Sequence, residues 1–198
     1  MTLEVYLKQN PKKYLIFDLD CTLARLEIGW QNVHQTLFEE VQIIDPTLAI
    51  RPPQNAHEFF TLIGKTAKKY GPQAKHALDI GREQYETAHY HGYKAHPSLV
   101  AFIKANASSY SFALWTSNTK KIIQDFLCKE NIEKAFVKII AFEDVQFPKP
   151  DPEGFEKIYD RSIYMKNDYL MIGDSTSDEE AAKAAGIDYY QDNYFSHH

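Results

Sequence analysis

Two aspartates, Asp18 and Asp20, follow directly after the apolar run Tyr14 to Phe17 in the segment YLIFDLDCTLARLE. An aromatic and aliphatic run of this kind predicts a buried strand. Because charge is costly to bury without a partner, two carboxylates at the end of a core strand indicate a functional site. In phosphoryl transfer one carboxylate can act as the nucleophile, and a second can protonate the leaving oxygen and then activate water.

Polar side chains also follow two later apolar runs. Thr116, Ser117 and Asn118 come after FALW, and Asp174 and Asp178 lie in LMIGDSTSD. Ligands of an open parallel sheet bind beyond the carboxyl ends of its strands, so we expect these groups to converge with the first two aspartates. Four converging carboxylates repel each other, and Mg²⁺, a hard cation with oxygen ligands, would relieve that repulsion.

Groups suited to a phosphate lie beside these carboxylates. A predicted helix begins at Thr119, and the backbone N–H groups at the start of a helix bind anions. Lys149 lies between Pro148 and Pro150, whose rings restrict the backbone, so its ammonium is expected on a stiff segment. That ammonium could neutralise both a carboxylate and a phosphate oxygen. Positioning, charge neutralisation and an in-line nucleophile are the requirements of phosphoryl transfer.

Strands and helices alternate in the second half of the chain. Strands are predicted near residues 14, 110, 136, 169 and 187, and helices in TKKIIQDFLCKE, PEGFEKIYDRSIY and SDEEAAKAAGI. The last helix is predicted to begin at Ser177, with Glu180 completing a capping box, and to end at Gly186. Strands that alternate with helices predict a parallel sheet covered on both faces, which is an α/β fold.

Residues 25–93 differ from the rest of the chain. Apolar residues have helical spacing in GWQNVHQTLFEEVQII, AHEFFTLIGKTAKKYG and QAKHALDIGREQYETAHY. Asp45-Pro46 and Gly71-Pro72 punctuate these segments, because proline and glycine interrupt helices. We therefore predict an all-helical insert that interrupts the α/β core just after its first strand.

The composition excludes several classes of protein. The 198-residue chain is 44% hydrophobic and 25% charged, as in ordinary globular proteins. A net charge of −5 without basic runs disfavours nucleic-acid binding, and no apolar run is long enough to span a membrane. The first residues show no signal peptide. Cys21 and Cys128 form no disulfide framework, which favours the cytoplasm. The final His197 and His198 are left out of the site prediction.

Four segments carry a resemblance to a known family. DLDCT, LWTSN, Lys149 within PKP, and GDSTSD resemble, in this order, the four motifs of the haloacid dehalogenase-like (HAD) phosphatase superfamily. The insert resembles the α-helical cap of its phosphoglycolate phosphatase and β-phosphoglucomutase-like branch. The resemblance covers nearly the whole chain. It implies a HAD-like Rossmannoid core of parallel strands, residues 1–24 and 94–198, with an inserted helical cap, residues 25–93.

The resemblance also implies a role for each matching residue. Asp18 would be the nucleophile that forms an aspartyl-phosphate, and Asp20 would be the general acid and base. Lys149 would stabilise the nucleophile and the transition state. The phosphate would be held by Thr116, beside Ser117 and Asn118.

The same resemblance implies a metal site. Mg²⁺ would be bound by the Asp18 carboxylate, the backbone carbonyl of Asp20, and Asp174. Asp178 would support the metal through a water molecule or orient Lys149. A small phosphorylated metabolite is the implied partner, because a cap of this kind encloses its substrate.

At Cys21 the sequence departs from the family pattern. Cys21 stands where the family usually has glycine, and a small residue at a tight position explains it better than a catalytic thiol, because neighbouring carboxylates disfavour the thiolate. Haloacid dehalogenases lack the second aspartate of the first motif, so the presence of Asp20 favours the hydrolysis of phosphate esters over the cleavage of carbon–halogen bonds. Schiff-base chemistry by an insert lysine is not indicated, because nothing in the sequence marks the candidates as desolvated, and we expect them to be solvated lysines on helix faces. These candidates are Lys65, Lys68, Lys69 and Lys75.

The sequence leaves three functions open. The first is a Mg²⁺-dependent phosphatase for a small metabolite, such as a sugar phosphate, phosphoglycolate, a nucleoside monophosphate or pyrophosphate. The second is a phosphomutase of the β-phosphoglucomutase type, which returns the phosphoryl group to a bound intermediate. The third is a noncatalytic phosphate- or partner-binding protein on the same fold, which would have no need of both Asp18 and Asp20.

Overall fold

A computed structural model of the chain describes residues 2–48 and 50–196, so His197 and His198 lie outside the described residues. The helices and strands, numbered in chain order, are α1 Leu3–Gln9, β1 Tyr14–Phe17, β2 Ala24–Ile28, α2 Trp30–Ile44, α3 Ala56–His89, β3 Tyr90–Ala95, α4 Pro97–Asn106, β4 Ser111–Trp115, α5 Lys120–Glu130, β5 Phe136–Ile140, α6 Glu153–Ile158, β6 Tyr169–Gly173, α7 Thr176–Ala185 and β7 Asp188–Gln191. Short 3-10 helices lie at Glu133–Ala135, Phe142–Asp144 and Lys166–Asp168.

Five strands form one parallel sheet in the order β5-β4-β1-β6-β7. β1 is central, and every residue of its sequence YLIF is buried. Its side chains alternate between the two faces, so that Leu15 and Phe17 join one core cluster while Tyr14 and Ile16 join the other. The five predicted strands and the α/β class are therefore confirmed.

The insert, residues 25–93, is not helical throughout. Its two ends belong to β2 and β3, which pair as an antiparallel ribbon. In β2, Ala24 and Leu26 are buried whereas Glu27 is exposed. This alternation of buried and exposed side chains is typical of a strand. The predicted break before Pro72 is present, since Gly71 adopts a φ of +79° within α3. The division into core and cap at these boundaries stays a prediction.

Two predicted helices differ in extent from the structure. α6 ends at Ile158, because the Asp160 carboxylate binds the N–H and hydroxyl of Ser162 and forms a turn. α7 begins with Ser175 as its N-cap and Asp178 as the reciprocal partner. The predicted capping box of Ser177 and Glu180 was therefore wrong, whereas Gly186 ends the helix as expected, with a φ of +70°.

Helices α1 and α4 were not predicted. α4 begins with His96 as its N-cap and a proline in the first turn; of these two features, the proline is a recognised sequence signal of a helix start, whereas histidine is not a typical N-cap. Within residues 2–48 and 50–196, no helix combines the length and the apolar character needed to cross a membrane.

Candidate active site

The predicted site residues lie at one edge of the sheet. β1 pairs with β4 on one side and with β6 on the other, so the segments that follow these three strands are neighbours. They line a cleft of about 1070 Å³ between the sheet and the insert. The cleft is lined by Asp18, Asp20, Thr116, Ser117, Asn118, Lys149 and Asp174. Asp178 is not among its lining residues, and only 1% of its surface is exposed.

Lys149 is a buried cation held by two carboxylates. Its Nζ donates hydrogen bonds to Asp18 Oδ1 at 2.8 Å and to the carbonyl oxygen of Trp115 at 3.0 Å, and it also donates to Asp178 Oδ1. Burial alone would lower the pKa of Lys149, but Asp178 and Asp18 raise it above its ordinary value. The ammonium therefore stays charged and fixes the orientation of Asp18.

Asp178 binds Lys149 and does not line the cleft. One carboxylate oxygen accepts from Lys149, and the other accepts from the N–H of Ser175 at 3.1 Å and from its hydroxyl at 2.6 Å. Gly173 permits this packing, because a Cβ at that position would lie 2.6 Å from the Asp178 Cβ. Both oxygens of Asp178 therefore face donors, which fits the expected orientation of Lys149 better than metal ligation.

Asp20 is a partly buried carboxyl group with a raised pKa. Its Oδ1 accepts a hydrogen bond from the N–H of Leu26 at 2.8 Å. Burial raises the pKa of Asp20 to about 7, against the hydrogen bond from Leu26, and the neighbouring Asp18 raises it further. A carboxyl group with a pKa near neutrality can both donate and accept a proton in catalysis.

The acidic residues fit a divalent cation. Carboxylate oxygens of Asp18, Asp174 and Asp178 lie within 4.8 Å of one another. Burial raises the pKa of Asp18 to about 6, against the effect of Lys149, and it raises the pKa of Asp174 to about 7, where the charge of Asp18 adds to the shift. Among the described residues, Asp174 accepts a side-chain hydrogen bond only from Thr22, at 3.3 Å. Asp18 and Asp174 thus offer hard oxygen ligands, the kind that Mg²⁺ takes.

The start of α5, where the sequence predicts an anion site, has backbone N–H groups that already donate to carboxylates. Thr116 donates its hydroxyl to Asn118 Oδ1 at 2.7 Å. The N–H groups at the start of α5 are already used, because Thr119 donates to Glu86 at 3.1 Å and Lys120 donates to Glu143 at 3.1 Å. The expected anion site at this helix start is therefore occupied by carboxylates, and a phosphate would depend on Thr116 to Asn118 and on Lys149.

Cys21 has the backbone of a glycine position and an unreactive thiol. Its φ is +62°, in the left-handed region that glycine adopts most easily. Burial, followed by the charges of Asp20 and Asp174, raises the pKa of the Cys21 thiol to about 12. Because the thiolate is the nucleophilic form, this raised pKa disfavours Cys21 as a catalytic nucleophile.

The expectation that the lysines of the insert are solvated was wrong for Lys75. Only 2% of Lys75 is exposed, since its Nζ lies 4.0 Å from the Phe142 ring centre, donates to the Phe142 carbonyl at 3.1 Å and pairs with Asp79. Lys75 does not line the cleft, so it is not placed for a Schiff base with a bound substrate.

Arg82 and Glu86 were missed by the sequence analysis. Both are buried, and Arg82 lines the cleft. Their spacing in REQYE is the i, i+4 pattern of ordinary surface ion pairs on a helix. Only the packing around α3 distinguishes them from such a pair.

Comparison with known proteins places this chain in a family. The family model described as haloacid dehalogenase-like hydrolase matches residues 15–191. A phosphoglycolate phosphatase of Salmonella choleraesuis is 38% identical over 81 residues, which make up 41% of this chain and 32% of that protein. This chain therefore aligns with about a third of that relative's length.

Solved structures support the same fold. A haloacid dehalogenase-like hydrolase of Bacteroides fragilis has a TM-score of 0.59 at 23% identity, and the match covers 91% of this chain and 87% of that chain. A 2-haloacid dehalogenase of Pseudomonas syringae has a TM-score of 0.54 at 18% identity, covering 92% and 86%. At these identities the likeness shows the fold alone. Because the family model spans nearly the whole chain, the protein belongs to the haloacid dehalogenase-like hydrolases.

Proposed function

We propose that the protein is a Mg²⁺-dependent phosphatase that hydrolyses a small phosphorylated metabolite through an aspartyl-phosphate. The observation that carries this proposal is the pairing of two differently held carboxylates in one cleft. Asp18 accepts a hydrogen bond from Lys149 at 2.8 Å, whereas Asp20 accepts one from the backbone N–H of Leu26 at 2.8 Å. One carboxylate is thus suited to attack phosphorus and the other to move a proton.

The chain's own groups account for each step. Asp18 attacks the phosphorus atom, and the ester bond to the leaving oxygen breaks. Asp20, with a pKa raised by burial to about 7, gives its proton to that oxygen and then takes one from the water that hydrolyses the aspartyl-phosphate. Lys149 neutralises charge on Asp18 and on the phosphoryl oxygens. When bound by Asp18, Asp174 and the Asp20 carbonyl, Mg²⁺ supplies further charge neutralisation.

The size of the cleft supports a small-molecule substrate. Its volume of about 1070 Å³ is at the upper end of pockets that bind small molecules. Phosphoglycolate, the substrate named for the Salmonella relative, is the first candidate. Both Cys21 and Cys128 are free thiols, as suits the proposed location in the cytoplasm.

The proposal is tested by measuring phosphate release from a panel of small phosphate esters. Wild type and Asp18→Asn would be assayed with Mg²⁺ and with EDTA, and Asp188→Asn would serve as a surface control, because Asp188 lies outside the cleft and pairs with Lys12. We expect release by wild type and the control only with Mg²⁺, and none by Asp18→Asn. Full activity in EDTA, or in Asp18→Asn, would refute the proposed chemistry.

A further inference from the structure

Arg82 is a buried cation with an unused donor. Only 1% of its surface is exposed, yet it lines the cleft from α3. Its Nε donates to Glu86 Oε1 at 2.8 Å, and its Nη2 lies 2.6 Å from the same oxygen. Its Nη1 has no hydrogen-bond partner within residues 2–48 and 50–196. Because a buried charged donor is rarely left unpaired, this nitrogen indicates a ligand.

The guanidinium is fixed by aromatic rings. Its central carbon lies 4.7 Å from the ring centre of Phe142, 4.9 Å from Phe60, 5.5 Å from Trp30 and 5.7 Å from Phe59. These rings limit its motion and lower the local dielectric constant, which strengthens a hydrogen bond to a charged acceptor. A planar guanidinium in such surroundings is suited to a carboxylate or a phosphate.

A second contact ties Arg82 to the catalytic edge of the sheet. Glu86 accepts from Arg82 with Oε1 and from the N–H and hydroxyl of Thr119 with Oε2, at 3.1 and 2.5 Å. Thr119 follows directly after the segment Thr116 to Asn118. The Arg82 guanidinium is therefore linked through one carboxylate to the segment proposed to bind the transferred phosphoryl group.

We propose that Nη1 of Arg82 binds a second anionic group, a carboxylate or a phosphate, on the leaving group of the substrate. This inference rests on the proposed phosphatase function and narrows its substrates to phosphate monoesters of negatively charged alcohols. The transferred phosphoryl group already has Lys149 and the segment after β4. Arg82 is then a specificity-determining residue whose effect depends on what the alcohol carries.

Three esters with the same two-carbon skeleton test the inference. 2-Phosphoglycolate carries a carboxylate, ethane-1,2-diyl bisphosphate carries a second phosphate, and 2-hydroxyethyl phosphate carries a neutral hydroxyl. We expect wild type to prefer at least one anionic ester over the neutral one by roughly 10- to 100-fold in kcat/KM, the effect of one charge-assisted hydrogen bond. The better of the two anionic esters identifies the group that Arg82 binds.

Variants then assign the preference to Arg82. In Arg82→Gln the preference should fall to within a few-fold of unity, and Arg82→Lys, which keeps the charge, should retain part of it. Lys75→Met is the matched control, because Lys75 is also a buried cation of α3 on the Phe142 ring but does not line the cleft. It should leave the preference unchanged. The preference is the ratio of two kcat/KM values measured on the same variant. A general loss of folded protein lowers both values equally and therefore does not change the ratio.

The outcomes separate the two proposals. If wild type hydrolyses all three esters equally, or if Arg82→Gln slows all three by the same factor, the inference is overturned while the phosphatase function stands. If wild type releases no phosphate from any ester on this or the wider panel, the phosphatase function itself fails, and the inference fails with it.

Discussion

The carboxylate of Asp20 accepts a hydrogen bond from the backbone N–H of Leu26 over 2.8 Å. Leu26 lies in β2, the strand that leads into the insert. The orientation of the proposed acid and base is therefore tied to the segment that carries the insert. Asp18, by contrast, is held from the core by Lys149.

The first prediction separates the roles of Asp20 and Asp18. In Asp20→Asn, turnover of an alkyl phosphate should fall by about 10²- to 10⁴-fold, because proton transfer to the leaving oxygen is lost. p-Nitrophenyl phosphate has a leaving group that needs no proton, so this variant should still release nitrophenolate in a first-turnover burst. Rapid-mixing absorbance measurements would detect the burst, and its absence in Asp20→Asn would contradict the assignment.

The second prediction concerns the buried charge at Lys149. In Lys149→Met, Asp18 and Asp178 lose their shared cation, so at pH 8 the free energy of unfolding should fall by about 3–5 kcal/mol. The pKa of Asp18 should rise further, because burial already raises it to about 6 in the presence of the lysine. A carboxyl group with a raised folded-state pKa destabilises the fold as the pH rises through that pKa.

Urea unfolding of wild type and Lys149→Met at pH 8 and pH 5 would measure this effect. The destabilisation should be smaller at pH 5, where the Asp18 carboxyl group binds a proton. Lys13→Met is a suitable control, because Lys13 also pairs with an aspartate, Asp168, but its side chain is 64% exposed. A pH-independent loss of stability in Lys149→Met would show that packing rather than charge causes it.

The sequence contained most of the information about the catalytic edge. The order of the four segments, each after an apolar run or between prolines, predicts that Asp18, Thr116, Lys149 and Asp174 meet, because the ends of neighbouring parallel strands share one edge. The structure brings these residues to one cleft. Their chemical roles stay predictions of the resemblance and of the geometry together.

Packing decided what the sequence could not. The pair Arg82 and Glu86 has the spacing of a surface ion pair, and only the rings around it show that it is buried. The run DSTSD offers several possible helix starts, and the contact of Asp178 with both Ser175 and Lys149 selects the earlier one. The ribbon of β2 and β3 depends on a partner strand more than sixty positions away in sequence, so local patterns alone do not define it.

The third prediction tests the close packing of Gly173 on Asp178. A Cβ in Gly173→Ala would lie 2.6 Å from the Cβ, Cγ and Oδ2 of Asp178, so that side chain must move and its contact with Lys149 must change. We expect a loss of about 1–3 kcal/mol in the free energy of unfolding. Activity should fall by roughly 100-fold, as displacement of a positioning group by about 1 Å can cause.

Gly64→Ala is the matched control for that substitution. A Cβ at Gly64 meets nothing within 4 Å, and alanine in a helix is more favourable than glycine by about 1 kcal/mol. Thermal unfolding should show Gly64→Ala slightly stabilised with its activity unchanged. Equal effects of the two substitutions on activity would rule out a specific role for the packing of Gly173 against Asp178.

The fourth prediction concerns His34, which lies in the cleft with its ring centre 4.4 Å from that of Phe59. Burial, with a smaller contribution from Arg82, lowers the pKa of His34 from 6.5 to about 4. The unfolded chain therefore binds a proton at a higher pH than the folded protein does. The resulting stability is complete above pH 6.5 and is lost as the pH falls toward 4, by about 3 kcal/mol in total.

Chemical unfolding of wild type and His34→Phe between pH 8 and pH 4 would measure this linkage. The substitution can shift the whole stability curve by a constant, so the test is the pH dependence of the difference between the two proteins. We expect that difference to change by about 3 kcal/mol in favour of His34→Phe between pH 6.5 and pH 4, because the variant has no imidazole to protonate. A difference that stays constant across this range would mean that His34 titrates alike in the folded and unfolded states, and that neither burial against Phe59 nor the charge of Arg82 excludes its charged form.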